Sequence, residues 1–411
     1  MRVAIVLGSL ASVPPVRLKA AATVIYKTVE NLPLKDIKVF SYWESGLEKV
    51  EYDHTKFEPI KPFKTINFLI DLLYALPYRI YKPIISRWVR PIGKEFVKYA
   101  LTVPFKVRRY NPTVIVNHSN YSLVYLLRQA CPQAKLIYYH HGSNMHLRLS
   151  EVEWKKFTKV VDGIISVSKT AFDKIREHYG PIEVSTWVIH NGVDLTLFNS
   201  NVKKLRDEVR RRWGLESDAF VFLYAGRLVR AKGIHFLLDA FSQVLKINPR
   251  ARLLIAGSSA QEPNPEPLYA QALLEKAKEL GNAVKFVGGF PNDQMPQVYA
   301  AADVTILPSL ASEGIPLSLL ESMACGVPVI ATDIGGIPEI VFHRRNGLLI
   351  SKERVAEELP YAMQELMEDR ALWRDCAEAA ADYVARNHTY QIVAQKFMAV
   401  LEQVTSRSRG V

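Results

Sequence analysis

Short apolar segments alternate with amphipathic helical patterns along most of the chain, and this alternation restricts the fold more than any other feature. Each segment has the length and the apolar character of a buried strand. Strands that are apolar on both faces, with helices between them, are typical of parallel sheets covered on both sides. The pattern therefore predicts an α/β fold.

The predicted strands fall into two series. The first contains Val3–Leu7, Ile37–Phe40, Thr113–Asn117, Lys135–His140, Gly163–Val167 and Ser185–His190. The second contains Ala219–Ala225, Ala251–Ala256, Val284–Val287, Val304–Leu307, Val327–Ala331 and Gly347–Ile350. Two such series predict two doubly wound, Rossmann-like domains.

The length of 411 residues suits two domains rather than one. We place an N-terminal domain at residues 1–197 and a C-terminal domain at 198–389, because the charged segment KKLRDEVRRRWGL leads into the second series of strands. Residues 390–411 follow as a separate piece. They contain a final amphipathic helix from about Tyr390 to Val404.

Net charge is +12, and the excess is concentrated in residues 61–110, where eleven Lys or Arg face only Asp71 and Glu95. Aromatic residues are interleaved with these cations. Such a composition suits a helix that lies on anionic lipid, or a groove for an acidic acceptor. It also suits a solvated face on helices whose aromatics pack inward. Nucleic acid is not an expected partner, since no recognisable binding module accompanies the charge.

Three scattered cysteines, Cys131, Cys325 and Cys376, have no paired spacing, which argues against a disulfide framework and a zinc site. The first apolar run, MRVAIVLGSL, is too short to span a bilayer. We expect a cytoplasmic protein, either soluble or peripheral on the inner face of the membrane.

The segment LPSLASEGIPLSLLESMACGVP, residues 307–328, predicts a short helix that starts near Pro316 and stops at Gly326. Backbone amides of Gly314 and Ile315, together with the positive end of that helix, would form a place for an anion.

Two carboxylates, Glu313 and Glu321, bracket the start of this helix. Carboxylates accept hydrogen bonds from sugar hydroxyls, while amides hold phosphate oxygens, so the segment suits a nucleotide sugar. The alternative is that both glutamates are solvated surface charges.

Cations follow the predicted strand Ala219–Ala225, in the sequence AGRLVRAKG. Ligands bind at the carboxyl ends of strands in open α/β sheets. Arg227 and Lys232 would lie there and would neutralise a diphosphate leaving group as its charge develops. Cations are otherwise disfavoured at a helix start.

Histidines end two strands of the first series. His141 is the strongest candidate for a hydrogen bond to a sugar hydroxyl or to the acceptor, and His118 and His140 are either further contacts or core residues. No Asp-x-Asp pair that would hold a metal on a diphosphate occurs in the sequence, and no nucleophile has a base at a defined spacing.

These motifs together resemble the GT-B retaining glycosyltransferases of family four, also called glycosyl transferases group 1. The matching pieces are PPVR, HHG, HNGVD, AGRLVRAKGI, LLIAGSS, FVGGF, YAAADVTILPSLASEGIPLSLLESMACGVPVIATDIGGIPEIV and NGLLI. PPVR and the layout are similar to bacterial spore-coat and cell-envelope members. The resemblance implies two Rossmann-like domains that face a cleft, with the C-terminal helix crossing back to the N-terminal domain.

The resemblance also implies roles for individual residues. Arg227, Lys232, Gly257, Gly314, Ile315 and Glu321 would bind the donor, and His141, Glu313, Arg227 and Lys232 would be the catalytic set. The expected reaction moves a hexose or N-acetylhexosamine, with retention, from a nucleotide-diphosphate sugar to an acceptor hydroxyl. No cofactor or metal is implied. UDP-glucose and UDP-N-acetylglucosamine are the donors expected first, and the acceptor is undefined.

One departure concerns the segment after PPVR, where Leu18, Lys19 and Ala20 replace the Gly-Gly pair of relatives. Side chains there would crowd a phosphate. Either Lys19 supplies a phosphate contact, or donor binding is weakened. This departure leaves open a catalytically weak transferase-like coat or binding protein. A nucleotide-sugar epimerase-like GT-B enzyme, which would use the same cleft without an acceptor, also stays open.

Overall fold

The computed structural model describes residues 1–16, 20–74, 76, 93–142, 144–257 and 266–406. The chain forms two compact units, of which the first comprises Met1–Ile189 with Val393–Val411 and the second comprises His190–Ile392.

Each unit contains one parallel sheet. The first has the order β3-β2-β1-β4-β5-β6-β7, and the second has the order β10-β9-β8-β11-β12-β13. The strands of the first sheet are β1 Val3–Leu7, β2 Ile37–Tyr42, β3 Phe57–Ile60, β4 Val114–His118, β5 Lys135–His140, β6 Gly163–Ser166 and β7 Ser185–Val188. Those of the second are β8 Val221–Ala225, β9 Arg252–Ala256, β10 Val284–Gly288, β11 Val304–Leu307, β12 Val329–Thr332 and β13 Gly347–Ile350. The predicted α/β fold with two parallel sheets is confirmed.

Helices connect the strands in both units. In the first unit they are Ala20–Glu30, Lys64–Tyr74, Lys94–Tyr110, Tyr121–Ala130, Glu151–Thr158 and Lys169–Tyr179. In the second they are Arg206–Arg212, Ile234–Ile247, Pro267–Glu279, Met295–Ala301, Leu317–Ala324, Val355–Glu368 and Arg370–Asn387. The last helix is Tyr390–Ser406. Within the described ranges, none of the helices has the length and apolar character that a membrane crossing requires.

The predicted strands are present, with ends displaced by one or two residues at most. The sequence did not indicate β3, which has the composition FEPI. Pro59 cannot donate a ladder hydrogen bond, and β3 tolerates it because the strand lies at the edge of the sheet. Four residues that include a proline and a glutamate are too few to show the hydrophobic alternation by which a strand is predicted.

The first sheet is covered on both faces. On one face, Val3 and Ile5 pack in a core that also contains Val393, Phe397 and Leu401 of the final helix. The opposite face has a separate core, which includes Val6, Tyr99, Val103, Leu123 and Tyr138. Side chains alternate between the two faces along each strand, so residues two apart share a face.

The units divide at Ile189, earlier in the chain than the boundary at residue 197 expected from the sequence. Val193 and Phe198 are the reason, because both side chains are buried in the core of the second unit. The backbone amide of Val193 also donates to the carbonyl oxygen of His388, at 2.7 Å.

The charged segment KKLRDEVRRRWGL forms part of the second unit. Its helix Arg206–Arg212 buries Arg210 almost completely. The Arg210 guanidinium lies 2.7 Å from Asp303 Oδ2, and the same carboxylate oxygen accepts from the amide of Val221 at 2.8 Å. Three elements are thereby joined by one buried carboxylate, and every partner is hydrogen-bonded, as burial of charge requires.

Candidate active site

The loop after β8 is shaped by a glycine. A single turn, Arg230–Lys232, ends at Gly233, which has φ 68°, and the helix Ile234–Ile247 begins at the next residue. A Cβ on Gly233 would clash with the carbonyl oxygen of Pro308, which follows β11. Glycine is needed here for both the backbone angle and the close approach. This contact holds the Lys232 loop against the carboxyl end of β11.

Lys232 and Glu313 form an ion pair. The distance from Lys232 Nζ to Glu313 Oε1 is 2.5 Å, and the exposed fractions of the two side chains are 13% and 19%. The buried Ser309 hydroxyl donates to the same carboxylate oxygen at 2.7 Å. Two residues that the sequence analysis selected from separate motifs are therefore in direct contact.

Arg227 lies two residues after β8, and its side chain is exposed. Its backbone carbonyl oxygen accepts a hydrogen bond from the Tyr224 hydroxyl at 2.6 Å. Gly257 follows β9, and a Cβ there would clash with the carbonyl oxygen of Gly226. The absence of a side chain at Gly257 therefore lets the loops after two adjacent strands pack closely, and its predicted contact with the donor stays a prediction.

The turn Glu313–Pro316 precedes the helix Leu317–Ala324. The sequence predicted that the helix would start near Pro316. In the structure Pro316 is the N-cap, and the first helical residue is Leu317. Ile315 is buried, and its carbonyl oxygen accepts from the Asn191 side chain at 2.7 Å. Among the described residues, no acceptor receives the amide hydrogen of Gly314 or Ile315. These two amides therefore have no acceptor within the described part of the chain, and the anion site at this turn stays a prediction.

The helix ends at Ala324, just before Gly326, where the sequence predicted its end. Gly326 has φ 66°, and its amide donates to the carbonyl oxygen of Met323 at 3.0 Å. The amide of Val327 donates to Ser322 at 3.0 Å. A glycine in the left-handed conformation, followed by an amide that bonds to the last turn, provides hydrogen bonds for the final carbonyl oxygens of the helix.

Glu321 differs from Glu313 in its surroundings. It is only 8% exposed, and its two carboxyl oxygens accept hydrogen bonds from Tyr299 Oη at 2.9 Å and from Asn292 Nδ2 at 3.0 Å. Burial raises the pKa of Glu321 to about 7, against the lowering effect of these two hydrogen bonds. Its ionised form is thus less favoured than that of an exposed glutamate, and the two donors fix the position of the carboxyl group.

His118 and His141 contact each other in the first unit. His118 ends β4, His141 follows β5, and the distance from His118 Nδ1 to His141 Nε2 is 2.6 Å. The two rings stack with centroids 4.9 Å apart, and Tyr139 stacks on both, at 4.8 Å from His118 and 4.6 Å from His141.

Both members of this pair are neutral at pH 7. Burial, followed by the nearby His141, puts the pKa of His118 well below its ordinary value. Burial lowers the pKa of His141 to about 4, although part of the residue's surface stays exposed. Loss of hydration disfavours the charged imidazolium in each case.

His140 is separated from the pair by the alternation along β5. Its ring stacks near Tyr138, which belongs to the core on the opposite face of the sheet. Burial, with smaller contributions from His141, Arg148 and His146, lowers the pKa of His140 to about 3. The sequence analysis left His140 open as a contact or a core residue, and its placement is that of a core residue.

Several neighbours of the candidate residues had no signal in the sequence. Ser309, Asn292 and Tyr299 reach the two carboxylates from other loops and helices, and only the folded chain brings them there. Lys19 lies outside the described residues. In the described part of the chain, no group of three or more His, Cys, Asp or Glu side chains is placed to hold a metal ion.

Two family models match this chain, one over each half. The model described as Glycosyltransferase Family 4 matches residues 22–197, and the model described as Glycosyl transferases group 1 matches residues 206–383. The chain belongs to these glycosyltransferases, and it is a transferase enzyme.

Individual relatives extend the comparison. The lipopolysaccharide 1,2-N-acetylglucosaminetransferase of Salmonella typhimurium is 27% identical over 391 residues, which is 94% of each chain. The D-inositol 3-phosphate glycosyltransferase of Corynebacterium urealyticum is 32% identical over 52% of this chain and 50% of its own.

Solved structures share the fold. Anabaena Alr3699/HepE, solved in complex with UDP, has a TM-score of 0.75 at 20% identity, and the match covers 98% of this chain and all of that one. Sucrose-phosphate synthase from Thermosynechococcus elongatus has a TM-score of 0.78 at 20% identity, covering 99% of this chain and all of its own.

Proposed function

We propose that this enzyme transfers a hexose or an N-acetylhexosamine from a UDP-sugar to an acceptor hydroxyl, with retention of anomeric configuration and without a metal ion. The observation that carries the proposal is the Lys232–Glu313 ion pair, which adjoins the two available amides of Gly314 and Ile315. It combines a cation and amides for phosphate oxygens with a carboxylate for sugar hydroxyls.

The roles that we propose are those that the family resemblance implies. Lys232 and Arg227 would bind the diphosphate and stabilise the charge that develops as the bond to the sugar breaks. Gly314 and Ile315 amides would hold phosphate oxygens, and Glu313 would accept from the transferred sugar. Glu321 would accept from the ribose hydroxyls, and His141 would contact the sugar. The acceptor would attack on the face that the diphosphate leaves, and a phosphate oxygen would take the acceptor's proton.

The choice of donor rests on the relatives. Anabaena HepE was solved in complex with UDP and, separately, with UDP-glucose. The Salmonella relative is named as an N-acetylglucosaminetransferase that acts on lipopolysaccharide. UDP-glucose and UDP-N-acetylglucosamine are therefore the first donors to test, and synthesis of a cell-envelope or spore-coat glycan in the cytoplasm is the corresponding role.

A thermal-shift panel tests the donor. UDP-glucose and UDP-N-acetylglucosamine are compared with the matching ADP- and GDP-sugars, and a donor present at one hundred times its Kd stabilises the fold by about 2.7 kcal/mol. Stabilisation by neither UDP-sugar would refute the UDP assignment. The weak transferase-like protein predicts no response to any donor.

Product analysis then separates transfer from its alternatives. Incubation of the best donor with candidate acceptors should yield a glycoside with the same anomeric configuration as the donor. The NMR coupling constant of the anomeric proton measures this configuration. An inverted product would contradict the retaining mechanism. Conversion of the UDP-sugar into an isomer with no acceptor present would identify the epimerase-like enzyme instead.

An apolar face on the first unit supports a membrane partner. In the helix Lys64–Tyr74 only Ile70 is buried, whereas Phe68, Leu69 and Leu72 are 68%, 55% and 57% exposed. Phe105, on the helix Lys94–Tyr110, is 63% exposed. Exposed apolar side chains of this size, when grouped, mark an interaction surface.

Exposed cations accompany this apolar face. Lys61, Lys64, Arg108 and Arg109 are exposed on the same two helices or beside them, while Lys98 is buried and pairs with Asp71 at 2.8 Å and Glu95 at 3.1 Å. Part of the basic segment, residues 75 and 77–92, lies outside the described residues. Apolar side chains beside exposed cations suit an anionic lipid surface, and we propose peripheral contact with one.

Liposome sedimentation tests this contact. The protein should sediment with phosphatidylglycerol vesicles at low ionic strength, remain in solution with phosphatidylcholine vesicles, and be released by salt. Phe68→Ser with Leu72→Ser should abolish binding, whereas Leu268→Ser, at a residue 81% exposed in the second unit, should not. Equal binding to both lipids, or full binding by the double variant, would overturn the proposal.

A further inference from the structure

The contact between His118 and His141 carries a single hydrogen. The 2.6 Å distance between His118 Nδ1 and His141 Nε2 is that of a hydrogen bond, in which one ring nitrogen donates and the other accepts. Both rings are neutral, so each carries one N–H. The position of the shared hydrogen therefore determines the tautomer of both histidines.

The other nitrogen of His118 decides between the two arrangements. His118 is 3% exposed, and its Nε2 is buried with no hydrogen-bond partner among the described residues. If His141 donated, His118 would carry its hydrogen on Nε2 and would bury an N–H without an acceptor. Buried donors of that kind are rarer in folded proteins than buried acceptors without a donor. A bare ring nitrogen can also take weak contacts from neighbouring C–H groups.

We infer that His118 is a positioning residue, which donates its Nδ1–H to His141 Nε2 and leaves the hydrogen of His141 on Nδ1. His141 then offers an N–H donor through the ring nitrogen that His118 does not occupy. His141 is the less covered of the two residues, and it is the one the proposed function places beside the sugar. The inference therefore rests on that function.

Chemistry at His141 is restricted by this arrangement. A neutral imidazole with its hydrogen on Nδ1 and its Nε2 occupied has no free lone pair, so it cannot act as a base on the acceptor. It can donate a hydrogen bond to an oxygen, such as a sugar hydroxyl or a phosphate oxygen. Stacking on Tyr139, at 4.6 Å with an interplanar angle of 10°, holds the ring in the orientation that His118 selects.

Nitrogen-15 NMR tests the tautomer without any substrate. In the full-length protein with labelled histidine, spectra of His141→Phe and His118→Phe assign the two residues among the ten histidines. The inference expects a protonated Nδ1 and a bare Nε2 for His141, with the hydrogen of His118 also on Nδ1. A protonated Nε2 on His141 would overturn it.

Two substitutions at residue 118 connect the tautomer to activity. His118→Asn keeps an N–H near the position of Nδ1, so it should retain the Nδ1–H tautomer of His141 and kcat/KM within about threefold. His118→Phe keeps a ring but removes the donor, so the His141 tautomer should become mixed and kcat/KM should fall about tenfold, which corresponds to one hydrogen bond. His178→Asn, at an exposed histidine of the same unit, is the control.

The outcomes separate this inference from the proposed function. An unchanged His141 spectrum in His118→Phe would refute the positioning role, whatever the enzyme transfers. The expected tautomers in a protein that uses no nucleotide sugar would uphold the role of His118 and refute the function. If His118→Phe fails to fold, His118→Asn and the unsubstituted protein still report the tautomer.

Discussion

The carboxyl ends of the two sheets carry opposite kinds of polar chemistry. Beside the second sheet, Lys232 and Glu313 are charged, partly exposed and paired. Beside the first sheet, His118 and His141 are neutral, and they stack on Tyr139. Charges with this little exposure are stabilised by an oppositely charged partner, whereas burial without such a partner suppresses the charge of a histidine. We therefore expect the charged end to interact with phosphate mainly through its cation, and the neutral end to interact with oxygen atoms through hydrogen bonds alone.

The largest expected effect concerns the charged end. Lys232→Ala removes the cation that we assign to the diphosphate, so kcat/KM with a UDP-sugar should fall by about 10²- to 10³-fold. Steady-state kinetics measure this, with circular dichroism to show that the fold is intact. The control is Arg230→Ala in the same turn, where the guanidinium lies 5.2 Å from the Tyr269 ring, and it should change activity little. Near-normal turnover in Lys232→Ala would remove the functional contrast between the sheet ends.

Next in size is a dependence of stability on pH. Glu321 has a folded-state pKa of about 7 against an ordinary value of 4.5, so between these values the folded protein binds more protons than the unfolded chain. Its contribution to stability should be greatest below this window and should fall by roughly 2–3 kcal/mol as the pH rises through 7.

Urea unfolding at pH 5 and pH 8 measures this effect. Glu321→Gln cannot ionise and should lose the pH-dependent part, whereas the exposed Glu279→Gln should keep it. An identical pH profile for the natural protein and Glu321→Gln would show that folding does not change the pKa of the Glu321 carboxyl group.

A smaller effect is expected at the neutral end. His141→Phe keeps the stack on Tyr139 but removes both ring nitrogens, so kcat/KM should fall about tenfold, which is the effect of one hydrogen bond. The loss should vary little between pH 6 and 8, because the histidine does not ionise in that range. A loss that appears only at one end of this range would mean that His141 acts through its charge.

The smallest effect is expected from removal of metal. If the cations of the second unit stabilise the leaving diphosphate by themselves, EDTA should change the transfer rate by less than about twofold. Rate measurements before and after chelation, with added Mg²⁺ and Mn²⁺ as the comparison, check this. Restoration of a lost activity by either ion would show that Lys232 and Arg227 do not supply enough charge alone.

Much of the fold could be predicted from the sequence. Apolar segments such as Val3–Leu7 and Val304–Leu307 are buried on both faces of a sheet, so their composition identifies them. The edge strand Phe57–Ile60 and the boundary at Ile189 were not predicted. Each depends on packing partners distant in the chain, which local composition does not report.

The candidate site could be predicted in part. Glu313, Lys232 and the turn before Leu317 follow from motifs and from the chemistry of strand ends. The different environments of Glu313 and Glu321 could not, because Tyr299, Asn292 and Ser309 reach the carboxylates only through the fold. Gly257 is packed closely beside Gly226, which the sequence did not indicate, and its contact with the donor stays a prediction.

The sequence by itself determined the two-sheet architecture, the family and the identities of the residues proposed for transfer. Those depend on local pattern: apolar periodicity, glycine and proline at turns, and cations after a strand. Tertiary structure alone decided which residues meet and in what state. It joined Lys232 to Glu313, raised the pKa of Glu321 to about 7 and placed His118 against His141. Protonation and hydrogen-bond direction depend on burial and on neighbours, and both exist only once the chain is folded.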